Sequence, residues 1–314
     1  MRLEAVAICV VLAPFCGRPL HLAMAEEANH SVSIGSPLEG RLENGLPVPP
    51  SGPGFRHDPR KNRERRYGTA ELVGALLRAA GAVHEALPGS DLTINDLSAK
   101  EGGDIPGHAS HRNGRDVDVM FYLLDESGKP RPGDSIPLDF KGRGTDYNDL
   151  EDPADDEPVT LDVPRTWKFV EALVLDEEAQ VQRVFVVEHI RTMLLEHARR
   201  IGAPKRAVGL FTDLTCQPGF PHDDHMHIRV FCSPDDVKAG CEDMPPIYPW
   251  HRRHLAAAGV EPRLAGSPEG PRPRVTFHAE ARAKAGAMHQ SVVDFLERRE
   301  AWLKQPHPGR KYCP

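Results

Sequence analysis

The chain has 314 residues, 39% hydrophobic and 27% charged, which allows one large globular domain or two modest ones at roughly 100–200 residues per domain. Lys and Arg number 39 against 46 Asp and Glu, so the formal net charge is −7 and the chain as a whole is not a basic nucleic-acid binder. The 27 Gly and 30 Pro together exceed the usual share of these residues and predict long loops.

Residues 1–25 have the order of a secretory signal peptide. A short polar start precedes an apolar stretch from Ala5 to Phe15, and small residues favour cleavage after Ala25. A buried N-terminal helix is one alternative, and a lipid anchor on Cys16 is another, which the bulky Phe15 disfavours. No later stretch reaches the roughly 20 apolar residues of a membrane span. We therefore expect an exported protein that is periplasmic or secreted.

Four cysteines follow this segment, and an even number is typical of disulfides in an oxidising compartment. No pair has the Cys-x-x-Cys spacing of a zinc knuckle. Cys232 and Cys241 enclose a short polar loop and form the most plausible pair, which would join Cys216 to Cys313 by exclusion. Four cysteines allow three connectivities, and the sequence does not choose decisively among them.

Residues 26–66 form an N-terminal strap that is rich in Pro and Gly and ends in a run of basic residues. Such a run is typical of a solvated surface, with a contact to an anionic wall polymer or nucleic acid as the alternative. From Thr69 to Leu87, apolar residues recur at intervals of three and four before Pro88-Gly89. This pattern predicts an amphipathic helix.

The segment 107–121 is the first candidate for chemistry. Its end alternates apolar residues with Asp116 and Asp118, which predicts a strand with both carboxylates on one face. Two such carboxylates repel each other unless a cation or hydrogen bonds compensate. Asn113-Gly114 is a turn signal that can fold His111 back over that face. His111 and Asp118 could thus reach one metal.

The next stretch, residues 128–163, has no core pattern and is strongly acidic, so we predict a solvated loop. Asp146 or Asp149 could make a subsidiary metal contact there. The following residues predict a helix over 164–175, a buried strand over 181–187 and a helix over 189–200.

A second candidate lies in residues 221–232. Apolar residues alternate with His225, His227 and Arg229, which places both imidazoles on one face of a strand. Neutral imidazole is a preferred zinc ligand, although an isolated His-x-His pair is weak evidence. Together with His111 and Asp118, the pair predicts a metal site.

In combination these residues resemble the LAS metallopeptidases, the group of lysostaphin-type enzymes, D-alanyl-D-alanine peptidases and hedgehog domains. Gly-His-Ala-Ser-His at 107–111, Asp-Val-Asp at 116–118 and His-Met-His-Ile-Arg at 225–229, with His222 three residues before the last motif, resemble the penicillin-insensitive murein endopeptidases in particular. His108 matches a motif histidine of this family that can bind a second or substituting metal.

The resemblance also implies roles for the remaining site residues. A Zn²⁺ would be held by His111, Asp118 and His227, with His225 on the reacting water and His222 assisting nearby. Asp224, three residues before His227, is an alternative base, but its shorter reach favours His225.

The activity that the resemblance implies is zinc-dependent, penicillin-insensitive hydrolysis of D-alanyl-diaminopimelate cross-links in peptidoglycan. One alternative is a D,D- or L,D-carboxypeptidase or dipeptidase acting on small cell-wall peptides. Another is a non-catalytic, metal-stabilised wall-binding module. The expected partners are peptidoglycan peptides, with no nucleic acid and no membrane span, and the oligomeric state is not readable from the sequence.

We predict an α+β metallopeptidase domain over residues 67–250, with a small, mainly antiparallel sheet that carries the metal site, flanking helices and long loops. Residues 251–314 predict a Pro-rich linker and a C-terminal helix. The apolar face of that helix needs a partner. We expect it to pack back on the catalytic domain and to be held there through Cys313.

Overall fold

The computed structural model describes residues 31–61, 63–266, 278–305 and 313. The predicted signal peptide at 1–25 lies outside the described residues. Among those residues, no helix is both long enough and apolar enough to span a membrane.

The strands are β1 (Val32–Gly35), β2 (Gly40–Glu43), β3 (Leu46–Pro47), β4 (Ser51–Gly52), β5 (Phe55–His57), β6 (Tyr67–Gly68), β7 (Leu92–Ile94), β8 (Asp116–Met120), β9 (Leu123–Leu124), β10 (Pro130–Arg131), β11 (Arg143–Asp146), β12 (Glu157–Leu161), β13 (Val181–Phe185), β14 (Thr215–Cys216) and β15 (His225–Val230). The α-helices are α1 (Ala70–Ala86), α2 (Val163–Val174), α3 (Glu188–Arg200), α4 (Lys205–Leu214), α5 (Pro234–Ala239), α6 (Pro249–Ala257), α7 (His278–Ala285) and α8 (Gln290–Leu303).

The main sheet combines strands from both halves of the chain. Within the described residues it has seven strands in the order β14-β13-β15-β8-β7-β5-β4. The β13–β14 and β5–β7 pairs are parallel, and the other neighbours are antiparallel. The predicted α+β class is confirmed. The sheet is larger than predicted, because strands of the N-terminal strap extend it beyond β7.

Helix α1 illustrates how local sequence positions the core. The Thr69 side chain accepts a hydrogen bond from the Leu72 backbone N–H and caps the helix, as its residue type favours. Leu72, Leu76 and Val83 are fully buried in a core that also contains Val119 of β8. Helices α1, α3 and α4 contact α2, so the helices form a layer against the sheet.

Both predicted disulfides are present. Cys232–Cys241 closes a loop that contains α5, and Cys216–Cys313 joins β14 to a residue 97 positions further along the chain. The second bond ties the C-terminal segment to the strand at one edge of the main sheet. The backbone N–H of Cys313 also donates to the Gln217 carbonyl at 2.9 Å.

Several parts of the fold differ from the predictions, including helix α5 in the predicted loop between Cys232 and Cys241, and helix α6, which was not predicted. Residues 128–163, predicted as a solvated loop, contribute β10, β11 and β12 to a second sheet with the order β10-β9-β12-β11. Asp146 pairs there with Arg131 at 2.5 Å. Helix α4 was not predicted, because it lacks a side-chain cap and contains Gly209, so it depends on tertiary packing.

Candidate active site

Two adjacent strands position the central side chains of the site. Strand β15 runs antiparallel to β8 in a register that places His227 opposite Asp118 and Arg229 opposite Asp116. Side chains two residues apart on a strand share a face. The Asp-x-Asp and His-x-His patterns, separated by more than 100 residues, therefore meet on one side of the sheet.

His111 enters from the loop before β8 with a left-handed backbone (φ 71°), which a residue other than glycine seldom adopts. Local hydrogen bonds hold this conformation. Its N–H donates to Asp116 Oδ2 at 3.3 Å, and its carbonyl accepts from the Ser98 hydroxyl at 2.5 Å. Gly114 follows at φ 79°, where an added Cβ would lie 2.6 Å from Leu42 Cδ1. This turn brings His111 over β8, as predicted.

Imidazole nitrogens converge on the Asp118 carboxylate. His111 Nε2 and His227 Nδ1 each lie 3.4 Å from Asp118 Oδ1, and His225 Nε2 lies 3.6 Å from the same oxygen. His108 Nδ1 lies 3.6 Å from Asp118 Oδ2. His108, His111 and Asp118 each offer a ligand atom, and these atoms lie within 4.8 Å of one another. The donor set of imidazoles and one carboxylate suits a transition metal such as zinc.

At this centre, two facing buried atoms lack the hydrogen bonds that burial normally requires. In the described part of the chain, neither His111 Nε2 nor Asp118 Oδ1 has a hydrogen-bond partner. Both atoms face the point where the imidazoles converge, and an unsatisfied buried polar atom is costly. A cation bound at this point would satisfy both atoms, so the residues present fit a metal.

The second nitrogen of each central histidine is held by an acceptor, which fixes the ring tautomer. His227 Nε2 donates to Asp116 Oδ1 at 2.7 Å, and His111 Nδ1 donates to the Leu97 carbonyl at 3.1 Å. His108 Nε2 contacts Asp96 Oδ2 at 3.0 Å. The nitrogens that face Asp118 are therefore left with a free lone pair, the form that binds a metal.

The pKa shifts of His227 and Asp118 agree with a neutral His227 ring and an ionised Asp118 carboxylate. Burial lowers the pKa of His227 to about 4, despite the opposing effect of Asp116, so its ring is neutral at neutral pH. Burial alone would raise the pKa of Asp118, but His111, His225 and His227 outweigh it and hold that pKa well below its usual value. Burial would lower the pKa of His111, but Asp118 outweighs it and raises that pKa. The site thus combines an ionised Asp118 with a neutral His227 ring.

A second group of titratable side chains lies beside this centre. His225 Nδ1 donates to Asp224 Oδ1 at 2.7 Å, which directs Nε2 towards Asp118. Burial would lower the pKa of His225, but Asp224 and Asp118 outweigh it and raise that pKa to about 9. The His222 ring lies 4.7 Å from the His225 ring, and burial together with His225 lowers the pKa of His222 to about 3.

The predicted site residues are therefore found together, with His222 at the periphery of the group. Sequence reasoning did not assign Asp116 or Arg229, whose Nε donates to Asp116 Oδ1 at 2.6 Å. Asp116 lies two residues from Asp118 on β8, and Arg229 lies two residues from His227 on β15, so each shares a strand face with a predicted ligand. The two-residue alternation along each strand could therefore have placed both residues at the site. Asp96, which contacts His108, and Arg299, which pairs with Asp223, carry no comparable local signal. Distant parts of the chain bring both residues to the site.

Sequence comparisons relate the chain to murein endopeptidases. The sequence model of the family described as "Penicillin-insensitive murein endopeptidase" matches residues 33–251. A relative with the same description from Haemophilus influenzae is 26% identical over 243 residues, which cover 76% of each chain. Another, from Klebsiella pneumoniae, is 28% identical over 227 residues, which cover 69% of this chain and 72% of the relative. A third relative, from Yersinia pestis, is 25% identical over 251 residues, which cover 77% of this chain and 81% of the relative.

Proposed function

The chain belongs to the penicillin-insensitive murein endopeptidase family, and we propose that it hydrolyses D-alanyl-diaminopimelate cross-links of peptidoglycan with a zinc ion as cofactor. The observation that carries the proposal is the convergence of imidazole nitrogens on Asp118, where His111 Nε2 and Asp118 Oδ1 lack hydrogen bonds. The disulfides and a cell-wall substrate both favour action in the periplasm.

We assign His111, Asp118 and His227 as the residues that would hold the zinc, with His108 beside them. Three protein ligands leave a coordination position open, as catalytic zinc sites require. When bound, zinc in such a site supplies Lewis-acid polarisation of the scissile carbonyl and lowers the pKa of water.

His225 is the residue best placed to move protons. Its Nε2 faces Asp118, and the Asp224 carboxylate at its Nδ1 stabilises the protonated ring. The charge of a zinc ion held beside Asp118 would lower the pKa of His225 and favour its neutral form. We propose that this neutral ring removes a proton from the attacking water and delivers it to the leaving amine. Asp224, the alternative base, is engaged with His225 and would orient it. His222 would assist from the adjacent position.

The test is digestion of purified cross-linked peptidoglycan, followed by identification of the bond lost. We expect cross-linked peptides to decrease and monomers to increase, with full activity in the presence of a β-lactam. No serine in the sequence begins a Ser-x-x-Lys nucleophile motif, so penicillin has no residue of that type to acylate. A zinc chelator should abolish the activity and added Zn²⁺ should restore it.

Four results would contradict the proposal. Release of terminal D-alanine without loss of cross-links would indicate a carboxypeptidase. Binding of peptidoglycan without hydrolysis would indicate a wall-binding module. Full activity after metal removal, or covalent labelling by penicillin, would exclude the zinc mechanism.

Replacement of Asp116 tests the tautomer of His227. Asp116→Asn keeps the size of the side chain but removes the charge that holds His227 Nε2 and Arg229 Nε. We expect zinc affinity or hydrolytic rate to fall by about 10–100-fold, as is usual for the partner of a metal-bound histidine. Zinc titration against a competing chelator measures the effect, with Glu126→Gln as the exposed control. Unchanged affinity and rate in Asp116→Asn would rule out this role.

A further inference from the structure

Helix α8 reaches the candidate active site although it lies outside the residues that the family match covers. Arg299 forms a two-point ion pair with Asp223: Nε donates to Oδ2 at 2.9 Å and a terminal nitrogen donates to Oδ1 at 2.6 Å. Both side chains are largely buried, with 13% and 4% exposed. A bidentate pair of this kind fixes the orientation of the carboxylate as well as its position.

Asp223 is adjacent in sequence to the residues proposed to handle protons. It lies between His222 and the Asp224–His225 pair, and its carbonyl accepts a hydrogen bond from the Leu138 N–H at 2.8 Å. Arg299 also lies over the Phe220 ring, 5.7 Å from its centroid. One guanidinium therefore contacts two residues of the segment 220–225, which carries the proposed proton-handling histidines.

Other contacts hold α8 where Arg299 can act. The Trp302 ring lies 5.9 Å from the His189 ring on α3, and the His289 N–H before the helix donates to the Leu150 carbonyl at 2.7 Å. The Cys216–Cys313 disulfide fastens the chain beyond the helix. Helix α8 is thus attached to the domain on both sides of Arg299.

The charge balance also requires a cation at this position. Asp223 and Asp224 are adjacent and poorly exposed, and a buried carboxylate without a partner is strongly unfavourable. Without Arg299, we expect the segment 220–225 to rearrange so that Asp223 reaches water. Because His225 is two residues away, such a rearrangement would displace it from Asp118.

We propose that Arg299 is a positioning residue for the hydrolytic reaction, acting through Asp223 on His222 and His225. The inference rests on the proposed function, since it assigns the C-terminal helix a part in that same site. Arg299 touches none of the residues assigned to the zinc. Its loss should therefore affect the rate and leave the metal in place.

The experiment compares Arg299→Gln with Arg298→Gln in the full disulfide-bonded chain, since Arg298 is the exposed neighbour on the same helix. We expect kcat of Arg299→Gln on peptidoglycan fragments to fall by about 10–100-fold, with KM and zinc content close to those of the control. Arg299→Lys should recover part of the loss, because it restores the charge without the two-point geometry.

Hydrogen exchange of the peptide containing residues 218–225 provides a readout that needs no activity. We expect faster exchange in Arg299→Gln than in Arg298→Gln, and this comparison stays valid even if the unmodified protein fails to cleave peptidoglycan. The positioning role is overturned if kcat and exchange match the control. It is equally overturned if Arg299→Gln loses its zinc, or if Arg299→Lys recovers nothing, since either result indicates general structural damage.

Discussion

His227→Ala is expected to lose both the bound metal and the hydrolytic activity, whereas His225→Ala should keep about one zinc ion per chain and lose rate by ~10²–10⁴. The two histidines are neighbours on β15, but their partners differ. His227 Nε2 is held by Asp116, which leaves Nδ1 to face Asp118 at 3.4 Å. His225 is held by Asp224, the arrangement expected of a group that gains and loses a proton.

Metal analysis and peptidoglycan digestion of the two purified variants separate these roles. His84→Ala is the control, because His84 is an exposed histidine on α1. It should match the unmodified protein in both measurements. Equal loss of zinc from both variants would make both residues ligands. An active His225→Ala would move the proton-handling role to Asp224 or His222.

Arg115→Met is expected to lower the free energy of unfolding by about 3–5 kcal/mol. Arg115 and Asp243 are both fully buried, with the guanidinium 2.8 Å from Asp243 Oδ1. Arg115 also donates to the Val230 carbonyl at 2.9 Å and the Glu242 carbonyl at 2.7 Å, linking the start of β8 to the segment after β15. Removing the cation leaves the Asp243 carboxylate buried without its partner charge.

Urea unfolding with the disulfides intact measures this effect. Arg41→Met is the matched control, since Arg41 pairs with Glu43 on the surface and such exposed pairs contribute at most ~1 kcal/mol. The double variant Arg115→Met/Asp243→Leu should recover much of the loss, because it removes both buried charges. Arg115→Met as stable as the control, or a double variant no more stable than the single one, would refute the argument.

The sequence by itself determined the elements whose signals are local. Alternation of apolar residues predicted the strands that became β8 and β15, and intervals of three and four predicted the helix that became α1. The motif residues were sufficient to indicate the family and to single out His111, Asp118, His225 and His227. Each of these signals depends on side-chain direction along one strand or helix, which is fixed by local backbone geometry.

Only the tertiary structure decided which of these residues meet and what holds them. The register of β8 and β15 sets His227 opposite Asp118, and a shift by one residue would turn every side chain of β15 to the other face. Asp116 became the partner of His227 and Arg229 through that same register. Arg299 reaches Asp223 from 76 residues further along the chain. Such contacts are set by packing between distant segments, and local periodicity carries no information about them.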